Sequence, residues 1–403
     1  MKLRTGKPYW LAVDCDARSI GSEALFSGDV RCSVVVLGGG ITGALAAYRL
    51  TTQGVDVVLV DEREFGHGSS AASTGLLQYE VDTPLAELID QVGEQNAVRA
   101  YRRGLTAIDE IEQLVGELEL DCGFSRRESL YFASSIWHRS SLERECELRR
   151  QVGFDVEFLN REQLAEISTL QAAGAILSRG DAQIDPYRFT RELLRAAVRQ
   201  GLRAYAKTKV VSVCEADSCV TLVTETGRII ADKIVYATGY ATKPFLAGES
   251  AGKLHSTYAV ISEPLGEVPG WPNQCLLWET ARPYFYARRT DDGRALIGGG
   301  DTLFSNDHER DGLVDRKVEK LVERFQELFP GATFVPDYAW AGTFAETKDG
   351  LAYIGSPPDR PRAYFALGYG GNGITFSVIA SQVITDLYFG RPNPDAEVFR
   401  FER

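Results

Sequence analysis

Residues 31–63 run RCSVVVLGGGITGALAAYRLTTQGVDVVLVDER, and they contain a complete strand, turn, helix and strand. Arg31 to Leu37 is a continuous apolar run, Ile41 to Gln53 has helical composition, and Val55 to Asp61 is a second apolar run. Val and Leu with little alternation are what a parallel strand covered on both faces requires. Between strand and helix, Gly38-Gly39-Gly40-Ile41-Thr42-Gly43 matches Gly-x-Gly-x-x-Gly. In that setting Gly38 permits the tight turn and Gly40 lets backbone approach a pyrophosphate at the positive end of the helix. Gly43 lets helix lie close on strand. Asp61 ends the second strand, eighteen residues after Gly43, where a carboxylate can accept hydrogen bonds from an adenosine ribose. The segment therefore predicts an α/β domain that binds a dinucleotide. By itself it does not separate NAD from FAD, which present the same adenosine diphosphate part.

Downstream of this unit, Pro84 to Leu118 has helix-favouring composition and Ser129 to Ala133 is strand-like. Asp185 is placed as an N-cap before Pro186, with Phe189, Leu193, Leu194 and Ala197 at helical spacing and Gly201 beyond the end. Lys209–Cys214, Cys219–Thr224 and Arg228–Ala231 read as a β-meander. Lys233 to Ala237 reads as a separate buried strand returning to the first sheet. From Ser256 to Gly300, STYAVIS, CLLW, YFYA and ALIGG predict an antiparallel sheet in a second domain.

With 403 residues, 44% apolar and 25% charged, the chain can bury a large core. Its 44 basic and 56 acidic residues give a net charge of −12, which argues against a nucleic-acid partner. The seven cysteines are scattered without a Cys-x-x-Cys pair, which fits a reducing cytoplasm. The four histidines lie far apart, so no metal site is expected. The apolar run Tyr9 to Val13 stops at Asp14, too soon for a signal-peptide core. Ala363 to Thr385 carries no formal charge, but Gly368, Gly370, Gly371, Asn372 and Gly373 interrupt it. It reads as strand, loop and helix, not as a membrane span.

Two further stretches carry chemistry. Glu62 to Gly75 is a small-residue segment suited to lie beside an extended cofactor. Gly370-Gly371-Asn372-Gly373 precedes the helix-like run Ile374 to Leu387, a loop able to stabilise negative charge. Together, VVVLGGGITGALAAYRL, VDVVLVDER, GSSAASTGLLQ, IDPYRFTRELLRAAVRQG, IVYATGY, ALIGGGD, WAGTFAETKDGLAYIG and YFALGYGGNGITFS, in this order, resemble the D-amino-acid oxidase and glycine oxidase superfamily of FAD-dependent oxidoreductases. The resemblance covers nearly the whole chain. It implies a discontinuous Rossmann-like FAD-binding domain and a second α+β substrate domain built on an antiparallel sheet. It also implies oxidation of the C–N bond of an amine or amino acid by hydride transfer to flavin.

The expected layout is an N-terminal arm over 1–30, an FAD-binding domain from 31–83, 170–250 and 336–403, and a substrate domain from 84–169 and 251–335. By motif position, the resemblance puts Gly38, Gly40, Ile41, Thr42 and Gly43 at the pyrophosphate, with Asp61, Glu62 and Arg63 near the adenosine. Gly68, Ser69, Ser70, Ser73, Thr74, Gly75 and Leu76 fall along the extended cofactor, and Val210, Ala237, Thr238 and Gly239 near its adenosine half. Gly370, Gly371, Asn372, Gly373 and Ile374 fall at the flavin pyrimidine edge. Relatives with covalent flavin have a Cys or His where this chain has Gly342 and Ala72, so non-covalent FAD is implied. Phe344 stands where glycine oxidases carry an arginine for the substrate carboxylate, so glycine is not the expected substrate.

Candidate substrate contacts are Gln78, Tyr258, Arg282, Tyr284, Tyr286, Arg288 and Phe344, with Trp278 in the same aromatic wall. Two other readings share the fold. One is a hydroxy-acid or alcohol dehydrogenase with His255 as base; the other is a flavoprotein subunit of a larger complex.

Overall fold

The computed structural model describes residues 2–16, 18–21, 26–240 and 252–403. The first parallel strand spans Gly28–Leu37, with Val34, Val35 and Val36 fully buried. It pairs with Val57–Val60, also fully buried, in the register Val34↔Val57 to Leu37↔Val60. Arg203–Tyr205 extends this sheet on one side; Gly227–Tyr236, Ala363–Leu367 and Tyr353–Gly355 extend it on the other. Helices Ile41–Thr52, Pro186–Arg199 and Gly373–Tyr388 pack together on one face. This close packing explains Gly43, where an added Cβ would lie 1.9 Å from the Gly38 carbonyl oxygen. The Pro186–Arg199 helix starts as expected: the Asp185 carboxylate accepts the Tyr187 and Arg188 amides, each at 2.9 Å.

The second sheet is antiparallel except where Leu276–Glu279 runs parallel to Ser125–Phe132. Its longest pairing is Lys253–Ser262 with Pro336–Glu346, in register from Lys253↔Glu346. The small-residue segment ends in a short edge strand of this sheet, Leu76–Leu77, paired to Gly174–Gln183.

Several expectations need correcting. The runs Arg228–Ala231 and Lys233–Ala237 are one strand, Gly227–Tyr236, parallel to Gly28–Leu37 along its whole length. Asp232, between the two runs, is an exposed residue within the strand. The same strand serves both the meander and the nucleotide sheet, through Val220–Thr224 beside its first half and Ala363–Leu367 beside its second. Residues 174–183 and 336–346, assigned to the nucleotide domain, instead form strands of the large sheet, because partners set sheet membership and composition does not. The N-terminal arm also joins that sheet, with Arg4–Gly6 paired to Pro336–Glu346. The Pro84–Leu118 helix is two helices, Leu85–Val92 and Glu94–Glu117, separated at Gly93 with φ of 81°. The domain boundary expected at 250/251 lies outside the described residues. Among the described residues, no helix is long and apolar enough to cross a membrane.

Candidate active site

One cavity of about 560 Å³ runs from the end of the first strand to the large sheet. Its nucleotide end begins where Gly38, with φ of +114°, turns the chain under the Ala237 carbonyl and into the Ile41 helix. Gly40 faces open space; a Cβ there would meet only the Ser70 hydroxyl, at 3.1 Å. That hydroxyl accepts the Ile41 amide at 2.9 Å, and Thr42 Oγ1 is 2.8 Å from Ser377 Oγ. Asp61 is 8% exposed, and its carboxylate accepts the Gly39 and Arg63 amides, each at 2.8 Å. Burial outweighs these two bonds and the nearby Arg63 charge, so its carboxyl sits above the usual range.

Glu62, Arg63, Gly68, Ser69, Ser73, Thr74, Leu76, Val210, Ala237, Thr238 and Gly239 line the same space. Gly43 and Gly75 do not. Gly43 is consumed in helix-to-strand contact, and the Gly75 carbonyl accepts Arg288 Nη1 at 2.8 Å. The residues present fit a bound FAD: Ser69 Oγ and Arg63 Nε lie in the wall, buried and without a hydrogen bond, beside the open face of Gly40.

At the other end, Gly370, Gly371, Asn372, Gly373 and Ile374 line the cavity at the start of the last long helix. Asn372 Nδ2 donates to the Glu80 carbonyl at 2.7 Å and the Gln78 carbonyl at 3.2 Å, which ties the glycine loop to the Gln78–Asp82 segment. The Gly371 amide donates to Asp82 Oδ2 at 2.7 Å, and the Tyr284 hydroxyl to Asp82 Oδ1 at 3.1 Å. Behind this loop, Arg149 is fully buried and bridges Glu80 at 3.0 Å and Glu145 at 2.7 Å. Asp181, fully buried close to the Glu80 charge, is driven well above its ordinary pKa by desolvation first and by that charge second.

Gln78, Tyr284, Tyr286, Trp278 and Phe344 line this end, with the Tyr284 and Tyr286 ring centroids 5.8 Å apart. Three other proposed contacts lie elsewhere. Arg288 is 3% exposed and spends Nη1 on the carbonyls of Thr74, Gly75 and Ile184, so it holds the cofactor-flanking backbone. Tyr258 is fully buried outside the cavity wall, 3.5 Å from Thr302 Oγ1. Arg282 lies over the Tyr284 ring at 5.0 Å and donates to the Asp82 carbonyl at 3.2 Å, outside the lining. His255 stacks beside Phe344 on the neighbouring strand, ring centroids 5.3 Å apart, with Nε2 3.3 Å from Glu346, and it is not part of the cavity lining either.

Sequence reasoning missed Thr208, Glu80, Asp82 and Asp301, all of which line the cavity. A signal existed for three of them. Glu80 and Asp82 directly continue the segment ending at Gln78, and Asp301 closes the ALIGGGD stretch. Asp301 is held by a bond to the Thr257 side chain, and its pKa is pushed up to about 7, by burial above all.

A dinucleotide cleft opening onto an aromatic-walled pocket under an antiparallel sheet defines a flavin-dependent oxidoreductase. The family model for FAD dependent oxidoreductase (DAO) matches residues 33–387, and the chain belongs to that family. It is similar to glycine oxidase of Geobacillus kaustophilus, 27% identical over 89% of this chain and 93% of that one. It is also similar to gamma-glutamylputrescine oxidoreductase of Escherichia coli, 26% identical over 92% of this chain and 85% of that one. The crystal structure of the Geobacillus kaustophilus glycine oxidase superposes with a TM-score of 0.75 at 23% identity, covering 91% of this chain and 96% of that one. The cofactor is FAD.

Proposed function

We propose that this enzyme oxidises the C–N bond of a small amine or amino acid, with FAD bound non-covalently. The observation that carries this reading is the joining of the nucleotide cleft to the pocket walled by Tyr284, Tyr286, Trp278 and Phe344. Family membership and the names of the glycine and gamma-glutamylputrescine relatives support it. The amides around Gly38, Gly40 and Ile41 would hold the pyrophosphate, Asp61 and Arg63 the adenosine, and Gly371 to Ile374 the pyrimidine edge. Ala72 and Gly342 line the cavity facing each other, a Cβ on Gly342 lying 3.5 Å from that of Ala72. Neither offers a nucleophile for covalent attachment.

The chemistry supplied by bound FAD is acceptance of a hydride from the carbon bearing the neutral amine. The chain's residues orient that C–H bond, exclude water with the aromatic wall, and leave an iminium ion that takes up water on release and breaks down to a carbonyl compound and an ammonium ion, substituted or not. The hydroxy-acid alternative lacks support for its proposed base, since His255 is not among the residues lining the cavity. The test is anaerobic bleaching of the purified yellow protein. Primary amines, N-methyl amino acids, D-amino acids, proline-like imino acids and hydroxy acids form the panel. Bleaching by an amine or amino acid is expected; bleaching by hydroxy acids alone overturns the reading.

A further inference from the structure

The charge of the substrate end is one-sided. Of the described residues lining the whole cavity, Arg63 is the sole basic one, and it stands at the adenosine end. The substrate end carries three carboxylates, Glu80, Asp82 and Asp301. Glu80 is 3% exposed, and its Oε1 is satisfied by Arg149 and Ser178 at 3.0 and 2.7 Å while its Oε2 has no partner. Asp301 likewise keeps Oδ1 buried and unpartnered. Lys317, the nearest cation to Asp301, turns its ammonium to the Gly300 carbonyl and lies over the Tyr258 ring, outside the lining. Unpaired acceptors in a desolvated wall are costly unless a donor or cation meets them. A substrate carboxylate placed here would meet the Asp82 and Asp301 carboxyls and no basic side chain in the lining, the Arg149 charge being taken up behind the wall by Glu80 and Glu145.

We infer that this end of the cavity selects a substrate with a second, cationic amino group and no carboxylate, a diamine or longer amino-alkylamine. Its distal ammonium is met by Asp301 and Asp82 against the faces of Tyr284, Tyr286 and Phe344. The inference deepens the C–N oxidation reading and rests on it. Asp82 is already oriented for this by the Gly371 amide and the Tyr284 hydroxyl, which use one lone pair of each oxygen and leave the others to a ligand. Burial first, and the Asp82 and Glu346 charges with it, raise the proton affinity of Asp301 against Thr257 and Lys317, so a cation beside it would favour its ionised form.

The test uses the FAD-loaded full chain in two arms. In the first, flavin absorbance is followed while tetramethylammonium or benzoate is added; neither can be oxidised at a C–N bond bearing a neutral amine. Saturable perturbation by tetramethylammonium, weakened at least tenfold in Asp301→Asn, is expected, with no response to benzoate in the same range. In the second, 1,4-diaminobutane, 4-aminobutanoate and glycine are compared as reductants. The diamine should bleach at a concentration at least tenfold below that needed for either carboxylate, and Asp301→Asn should erase that preference by raising KM for the diamine alone. Phe344→Arg, which adds a cation to the same wall, should reverse it, and it keeps the question open to test if Asp301→Asn folds poorly. Benzoate binding in preference to tetramethylammonium, or a wild-type preference for either carboxylate, overturns the cation site. Tetramethylammonium binding with no bleaching by any amine supports the site and overturns the oxidation reading.

Discussion

Replacing Asp301 by Asn should make the protein more stable at neutral and alkaline pH, by an amount the structure sets. The carboxyl is pushed up to about 7 from 3.8 in the folded protein; burial is the leading cause, and the charges of Asp82 and Glu346 add to it. The Thr257 hydrogen bond and Lys317 act in the other direction. The folded state therefore binds more protons than the unfolded chain between about pH 4 and pH 7. Stability contributed by this group is intact below the unfolded pKa and is lost as pH rises through the folded one. Three pKa units at about 1.4 kcal/mol each amount to roughly 4 kcal/mol. Asn keeps a partner for Thr257 and never ionises, so urea unfolding of the FAD-loaded wild type and Asp301→Asn, followed by tryptophan fluorescence from pH 4 to pH 9, isolates the effect of this ionisation. The two should nearly coincide at pH 4 and diverge to a plateau above pH 8, the variant being the more stable. A stability difference independent of pH, or one that grows toward acid, refutes the reasoning.

Three other outcomes follow from the geometry. Gly43→Ala puts a Cβ 1.9 Å from the Gly38 oxygen and should cost about 3 kcal/mol or more and release FAD, visible as a fall in the flavin-to-protein absorbance ratio. Arg149→Met leaves Glu80 and Glu145 buried without their cation and should cost about 3–5 kcal/mol, read as a lowered Tm. His255→Ala should leave the shape of the pH profile of flavin reduction unchanged, because the imidazole lies outside the cavity lining, beside Phe344 and Glu346. Loss of a limb of that profile would return His255 to the mechanism.

Local patterns were readable wherever one segment supplies both the geometry and its reason. The Gly38–Gly43 turn, its flanking strands and the acid at Asp61 act within about thirty residues, and backbone requirements there restrict residue type directly. The Asp185 cap and the glycine loop before Gly373 are equally local. Sheet membership was not local. Pro336–Glu346 and Gly174–Gln183 have compositions that suit either sheet, and only their hydrogen-bond partners assign them. The same limit applied to side chains. Arg288 lies two residues beyond Tyr286 on one strand, yet three backbone carbonyls claim it while Tyr286 lines the cavity, and Arg282 precedes that strand altogether. The sequence by itself determined that a dinucleotide meets a glycine turn at Gly38–Gly43 and that an antiparallel sheet accompanies it. Only the tertiary structure decided that Glu80, Asp82 and Asp301, from segments more than two hundred residues apart, share one wall with no basic side chain among them. Charge in a pocket is a sum over neighbours in space, and a chain read in order does not contain that sum.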